Sequence, residues 1–167
     1  MTSLTLDLTS DDTIAKRLGG VLTRLVAFVG TVTADAPPGE WTVTLLLTSD
    51  DDISLLHGTY FGDLSSTDVI TFPFVDDDPE SKNPVIASME GPMIHHLGDI
   101  VISVDTAAAN AAEIGHPADR EIAFLTLHGL LHLFGYDDET PLRRAAMLAR
   151  QDELLEQFER REPTPWS

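Results

Sequence analysis

The chain has 167 residues, 43% of them hydrophobic and 23% charged, with a mean hydropathy near zero, which fits one soluble globular domain and excludes fibrous and disordered classes. No apolar run approaches the roughly 18 residues of a membrane span. The absence of cysteine excludes disulfides and thiolate metal sites, so any metal must sit on His, Asp or Glu, and a formal net charge of -18 sets the chain as a whole against nucleic acid.

From Met1 to Ser10 the leucines at 4, 6 and 8 alternate with polar residues, as in a half-buried strand and unlike a secretory signal, so a cytoplasmic protein is expected. Asp11 and Asp12 can cap a helix whose apolar positions Ile14, Leu18, Val21, Leu22, Leu25 and Val29 recur at helical spacing, with Pro37, Pro38 and Gly39 as its stop. Trp41 to Thr48 reads as a buried strand, and Ser49 and Asp50 can cap a short helix through Leu56. Val69 to Phe74 is a second strong strand. Val75 to Pro92, with its acidic run and prolines, reads as a long surface loop.

Ile100 to Val104 forms a further strand, after which Asp105 caps a helix from Thr106 to Ile114 that ends at Gly115. Pro117 suits the first turn of the next helix, which carries Ile122, Leu125, His128, Gly129 and His132 and stops near Gly135. A last helix runs from Pro141 to roughly Arg160, with residues 157–167 expected as a flexible tail. Strands separated by helices imply an α+β fold of α/β-like character: a single domain, residues 1–167, with a mixed sheet of about four strands and about five helices, the metal site lying on a central helix.

The chemistry concentrates in the run His128-Gly129-Leu130-Leu131-His132-Leu133-Phe134-Gly135-Tyr136-Asp137-Asp138. Four residues on a helix place both imidazoles on one face. Gly135 can take the left-handed conformation that ends a helix, which folds the chain back so that Asp138 reaches an ion held by the two histidines. Three protein ligands with an open fourth position form a catalytic rather than a structural zinc site, and such a metal lowers the pKa of bound water to about 7. His128 and His132 are thereby assigned to catalysis through the water on the metal. Gly129 stands where the H-E-x-x-H zinc proteases carry their general base, so peptide hydrolysis by that route is not expected.

This run resembles the signature of the YbeY family, in which two His four apart are followed by Gly, Tyr, Asp and a third His. The resemblance continues in Phe61-Gly62-Asp63-Leu64-Ser65-Ser66-Thr67-Asp68-Val69-Ile70-Thr71-Phe72-Pro73, in Gly98 to Asp105, in Gly115-His116 with Arg120 to Leu125, and in Met147 to Gln151, in the same order over about residues 41 to 155. It implies a metal-dependent endoribonuclease that processes ribosomal RNA near the end of the small-subunit RNA and takes part in ribosome quality control. Its expected partners are ribosomal RNA, the small ribosomal subunit or a ribosomal protein, without membrane or DNA. Two positions depart from the pattern. Asp138 replaces the third His by a harder oxygen donor, which zinc accepts but which can shift metal preference to other divalent ions. Phe61 stands where some members carry an Arg that contacts substrate.

Other residues carry two readings each. Thr67 and Asp68 can orient a catalytic water or form a side-chain turn at the start of a strand. Asp137 can accept from a metal-bound imidazole or sit as a solvated turn residue. His116 reads as a cap of the metal helix, His57 as the end of a short helix, and of His95 and His96 at most one can reach a metal. Asp76, Asp77 and Asp78 read as a solvated loop. Between Leu25 and Asp119 the only basic residue is Lys82. RNA binding therefore requires residues near the chain ends, above all Arg120, Arg143 and Arg144, to gather beside the metal cleft. The alternatives are a ribosome-assembly or protein-binding factor that keeps the fold without catalysis, and a metal hydrolase of another substrate.

Overall fold

The computed structural model of the chain describes residues 2–53, 55, 69–73 and 94–162, and in it the alternating leucines at 4, 6 and 8 form β1 (Ser3–Ser10). There follow α1 (Asp12–Leu18), α2 (Val21–Thr31), β2 (Glu40–Thr48), a helical stretch at 50–53, β3 (Val69–Pro73), β4 (Ile94–Ser103), α3 (Val104–Ile114), α4 (Ala118–Leu133) and α5 (Pro141–Arg161). The four strands make one sheet in the order β1-β2-β4-β3. The first two pairings are parallel and β3 runs antiparallel to β4, so the sheet is mixed and the fold α+β, as the pattern of elements predicts. No helix among the described residues is long and apolar enough to cross a membrane.

Strand alternation sends Leu4 and Leu6 of β1, Val43, Leu45 and Leu47 of β2, and Ile100 and Ile102 of β4 into one core. Leu25, Phe28 and Val29 of α2, the apolar side of α4, and Met147, Leu154, Leu155 and Phe158 of α5 fill it. On the opposite sheet face Ile53, Ile70 and Val101 make a smaller cluster with Leu46. Helix α4 is therefore sandwiched between the sheet and α3 and α5, and ten of its sixteen residues are buried, which explains why its apolar residues are not confined to one narrow stripe.

Several boundaries differ from the sequence reading. The helix expected across Ile14 to Val29 is two helices, because Gly19 adopts a φ of 55° that ends α1 and Gly20 starts α2, which then stops at Thr31, well before the Pro-Pro-Gly cluster. Strand β4 begins at Ile94 rather than near Ile100. The cap of α3 is Ser103, whose hydroxyl accepts from the Thr106 N–H at 3.2 Å. Asp105 lies inside that helix and points elsewhere: it accepts from the Asp50 N–H at 3.1 Å and from Arg17 at 3.0 Å. Asp50 returns the tie by accepting from the hydroxyls of Ser103 and Thr106. Pro117 is the residue capping α4 rather than a member of its first turn. Residues 157–161, expected as part of a tail, continue α5, with Phe158 buried against Phe28 at a ring separation of 4.9 Å.

Helix α4 approaches the sheet closely at Gly129. A Cβ added there would lie 2.9 to 3.1 Å from three side-chain carbons of Ile100, itself fully buried. A side chain at 129 thus faces the sheet and not the cleft, which gives a structural reason why the position cannot hold a catalytic Glu.

Two outcomes follow. Gly129→Ala should destabilise the protein by about 1–3 kcal/mol in urea unfolding through overpacking, even though Ala is about 1 kcal/mol the better helix former; an unchanged or raised midpoint would show that α4 can back away from Ile100. The Asp105 carboxyl is held below its ordinary value of 3.8, first by the Asp50 N–H and then by Arg17. A lowered folded pKa supplies stability above the unfolded value that is lost as pH falls through the folded one. Asp105→Asn should therefore be the less stable protein at pH 7, by under about 1 kcal/mol because both partners are partly exposed, and the gap should close in acid below the unfolded value.

Candidate metal centre

His128 and His132 project from the last turns of α4 into a partly open cleft, their side chains 21% and 27% exposed. The rings stand edge to face at 83° with centroids 4.6 Å apart, and the two Nε2 atoms are 3.1 Å from each other. The chain then reverses. Gly135 takes a φ of 105°, its N–H donates to the His132 carbonyl at 3.1 Å, and the Tyr136 N–H donates to the Leu131 carbonyl at 2.9 Å, the pairing of a Schellman motif. This turn brings Asp138 Oδ2 to 3.8 Å from both Nε2 atoms.

The hydrogen bonds behind the rings decide what the facing nitrogens are. His132 Nδ1 lies 3.2 Å from the Tyr136 carbonyl oxygen and His128 Nδ1 lies 2.9 Å from Gln151 Oε1. Oxygens of this kind only accept, so each Nδ1 carries the proton and each Nε2 presents a lone pair. Two lone pairs and a carboxylate oxygen then face one another with no proton between them, which is unfavourable unless a cation sits among them. The three separations fit one: a point equidistant from the atoms lies about 2.1 Å from each, the length of a Zn–N or Zn–O bond. Among the described residues these three form the group of His, Asp or Glu whose ligand atoms converge within 4.8 Å.

The turn carrying Asp138 is held from outside. The Tyr136 hydroxyl donates to Asp35 Oδ2 at 3.3 Å, and Arg150 grips the same carboxylate with two hydrogen bonds at 2.6 and 3.1 Å. Burial, and after it the Asp35 carboxylate, raises the Tyr136 pKa above its ordinary value of 10.0, while Asp35 in turn raises that of Arg150.

The remaining sequence candidates divide. Asp137 accepts from the Glu139 N–H and pairs with Arg143, so it acts within the turn and not behind an imidazole; Gln151 and the Tyr136 carbonyl take that place. His116 meets Glu121 at 2.7 Å instead of capping α4. Arg143 and Arg144 flank the site, Arg143 on Asp137 and Arg144 donating to the Asp138 carbonyl at 3.3 Å. Arg120 does not join them. It forms a two-pronged pair with Glu159 near the far end of α4, eight residues or about 12 Å along the axis from His128. His96 bonds Asp99 and Thr42 on the sheet. Phe61, Thr67, Asp68, His57, Asp76, Asp77, Asp78 and the side chain of His95 lie outside the described residues.

Sequence reasoning missed Gln151 and Asp35 as supports. A signal for Gln151 existed: it interrupts the buried stripe of Met147, Leu154, Leu155 and Phe158. Asp35 carries none, being a loop residue whose partner is 115 positions away.

The family model described as Endoribonuclease YbeY matches residues 8–159. Proteins named Endoribonuclease YbeY include one from Moorella thermoacetica, 43% identical over 73% of this chain and 76% of that protein. Another from Roseiflexus castenholzii is 42% identical over 77% of each, and one from Lysinibacillus sphaericus is 34% identical over 93% of this chain and 96% of that protein. The solution structure of TM1509 from Thermotoga maritima superposes with a TM-score of 0.52 over 98% of this chain and 92% of that one, at 22% identity, a likeness of fold.

Asp138→Ala should lower zinc affinity and Asp138→His should raise it, because imidazole restores a nitrogen donor at a position already aimed at the other two. Titration against a chromophoric chelator measures both. Weaker binding by a folded Asp138→His protein would show that the turn is shaped for the shorter carboxylate.

Proposed function

The chain belongs to the YbeY endoribonuclease family, and on that premise we propose that it is a single-strand-specific, metal-dependent endoribonuclease of ribosomal RNA maturation, acting in the cytoplasm near the 3′ end of the small-subunit RNA and in ribosome quality control. The observation that carries the metal dependence is the convergence of two Nε2 lone pairs and the Asp138 carboxylate around one ion-sized point. A divalent ion there, zinc by the chemistry of its donors, would supply a Lewis acid for a phosphoryl oxygen and a means of activating water.

The protein's own side chains supply orientation. His128 and His132 are fixed by the acceptors behind them, and Asp138 by its turn, so the three donors are pre-set. Arg143 and Arg144, on the first turn of α5 and bonded to Asp137 and the Asp138 carbonyl, support this reading as guanidinium groups beside the site that would meet the phosphates of a bound strand. Asp68 remains a candidate for holding the attacking water. Phe61, in place of an Arg, leaves that family contact to other residues.

A second reading has its own support. Arg17, Arg120, Arg143 and Arg150 are all paired with carboxylates within the chain, so the positive surface offered to RNA is small against a net charge of -18. A ribosome-assembly factor that docks on a ribosomal protein and lacks catalysis would have this electrostatics.

Zinc-loaded wild type should cut a single-stranded RNA and His128→Ala should not, with circular dichroism showing the variant folded; cutting that survives both His128→Ala and chelation would refute the assignment. Read across salt concentrations, RNA affinity should fall with a slope of about -0.7 per phosphate contact, and neutralising Arg143 and Arg144 together should flatten it. Absence of RNA binding at low salt would put the assembly reading first.

A further inference from the structure

Gln151 is a buried polar residue that stands directly behind His128. It is fully buried on α5, and its amide ends against His128 Nδ1. Its Nε2, equally buried, has no hydrogen-bond partner among the described residues. A buried donor without an acceptor destabilises a fold, and a Leu or Met would fill the same stripe without it.

The orientation of the amide decides which His128 nitrogen keeps a lone pair. Turned over, Nε2 would donate to His128 Nδ1, the imidazole proton would move to Nε2, and the lone pair facing His132 Nε2 at 3.1 Å and Asp138 Oδ2 at 3.8 Å would be lost. Either orientation leaves one amide atom unpaired, so hydrogen-bond satisfaction alone does not choose between them. Only the one with Oε1 toward His128 leaves all three ligand atoms ready for a cation. Its counterpart at His132 is the Tyr136 carbonyl, a backbone oxygen that cannot be inverted. His128 is thus the ligand whose tautomer depends on a replaceable side chain.

We propose that Gln151 is a positioning residue for metal binding: it locks His128 as the Nδ1–H tautomer and is kept in the core at the expense of stability. The inference rests on reading His128, His132 and Asp138 as the metal centre. A carboxylate at 151 would be a stronger acceptor for the same N–H and carries no donor to be orphaned, so function needs the acceptor and not the amide.

The test uses the full chain with Gln151→Leu and Gln151→Glu. Gln151→Leu should melt, without metal, at the same or a higher temperature than wild type while binding zinc 10- to 100-fold more weakly. Gln151→Glu should bind at least as tightly as wild type. Nitrogen chemical shifts of the metal-free imidazoles should show His128 as Nδ1–H in wild type and Gln151→Glu, and as a mixture of tautomers in Gln151→Leu. Undiminished zinc affinity in Gln151→Leu, or an Nδ1–H tautomer that persists in it, overturns the proposal. If Gln151→Leu does not fold, weakened binding by a folded Gln151→Glu overturns it. Failure of wild type itself to bind zinc strikes the metal-centre reading instead, and the tautomer measurement still decides the role of Gln151.

Discussion

The contact between the backbone of α4 and the side chain of Ile100 is the constraint on which the site depends. Because residue 129 is glycine, the helix lies directly on β4, and that approach fixes its rotation as well as its distance. With 129 turned to the sheet, positions 128 and 132 are turned toward α5 and the cleft. A helix held off by a larger side chain could roll, and rolling would swing both imidazoles away from Asp138, whose own position is set by a turn tied to other elements. Core packing and ligand geometry are therefore one problem in this fold, since interiors this dense pass small displacements onward.

Charge is used inward as much as outward. The bonds of Arg150 to Asp35, Arg120 to Glu159 and Arg17 to Asp105 join segments far apart in sequence: the last two tie helix to helix, and the first ties α5 to the connection between α2 and β2. An acidic chain with few cations places most of them where they fasten structure. The guanidinium groups nearest the cleft are drawn from the same small set, and Arg143 divides its charge with Asp137.

What could be read from sequence was what depends on near neighbours along the chain. The alternation of Leu4, Leu6 and Leu8, the i to i+4 spacing of the histidines and the turn-forming Gly135 each constrain local geometry directly, and all three appear in place. The break at Gly19 was hidden because apolar spacing stays helical across it, while two adjacent glycines lower the barrier to interrupting the helix. Ser103 displaced Asp105 as the α3 cap because Asp105 has a better partner in the Asp50 N–H, a residue brought near by sheet pairing. Gln151 and Asp35 act across 23 and 115 positions, where periodicity carries no information.

The Tyr136–Asp35–Arg150 tie gives the three candidate ligands unequal footing. Two sit on a helix clamped by the core, whereas the third hangs from a turn whose anchor lies in the connection between α2 and β2. The position of Asp138 and the order of that connection, far away in sequence, are therefore joined through these hydrogen bonds. Loss of the carboxylate at position 35 would remove one anchor of the turn that carries Asp138 and leave the packing of α4 beneath His128 and His132 untouched.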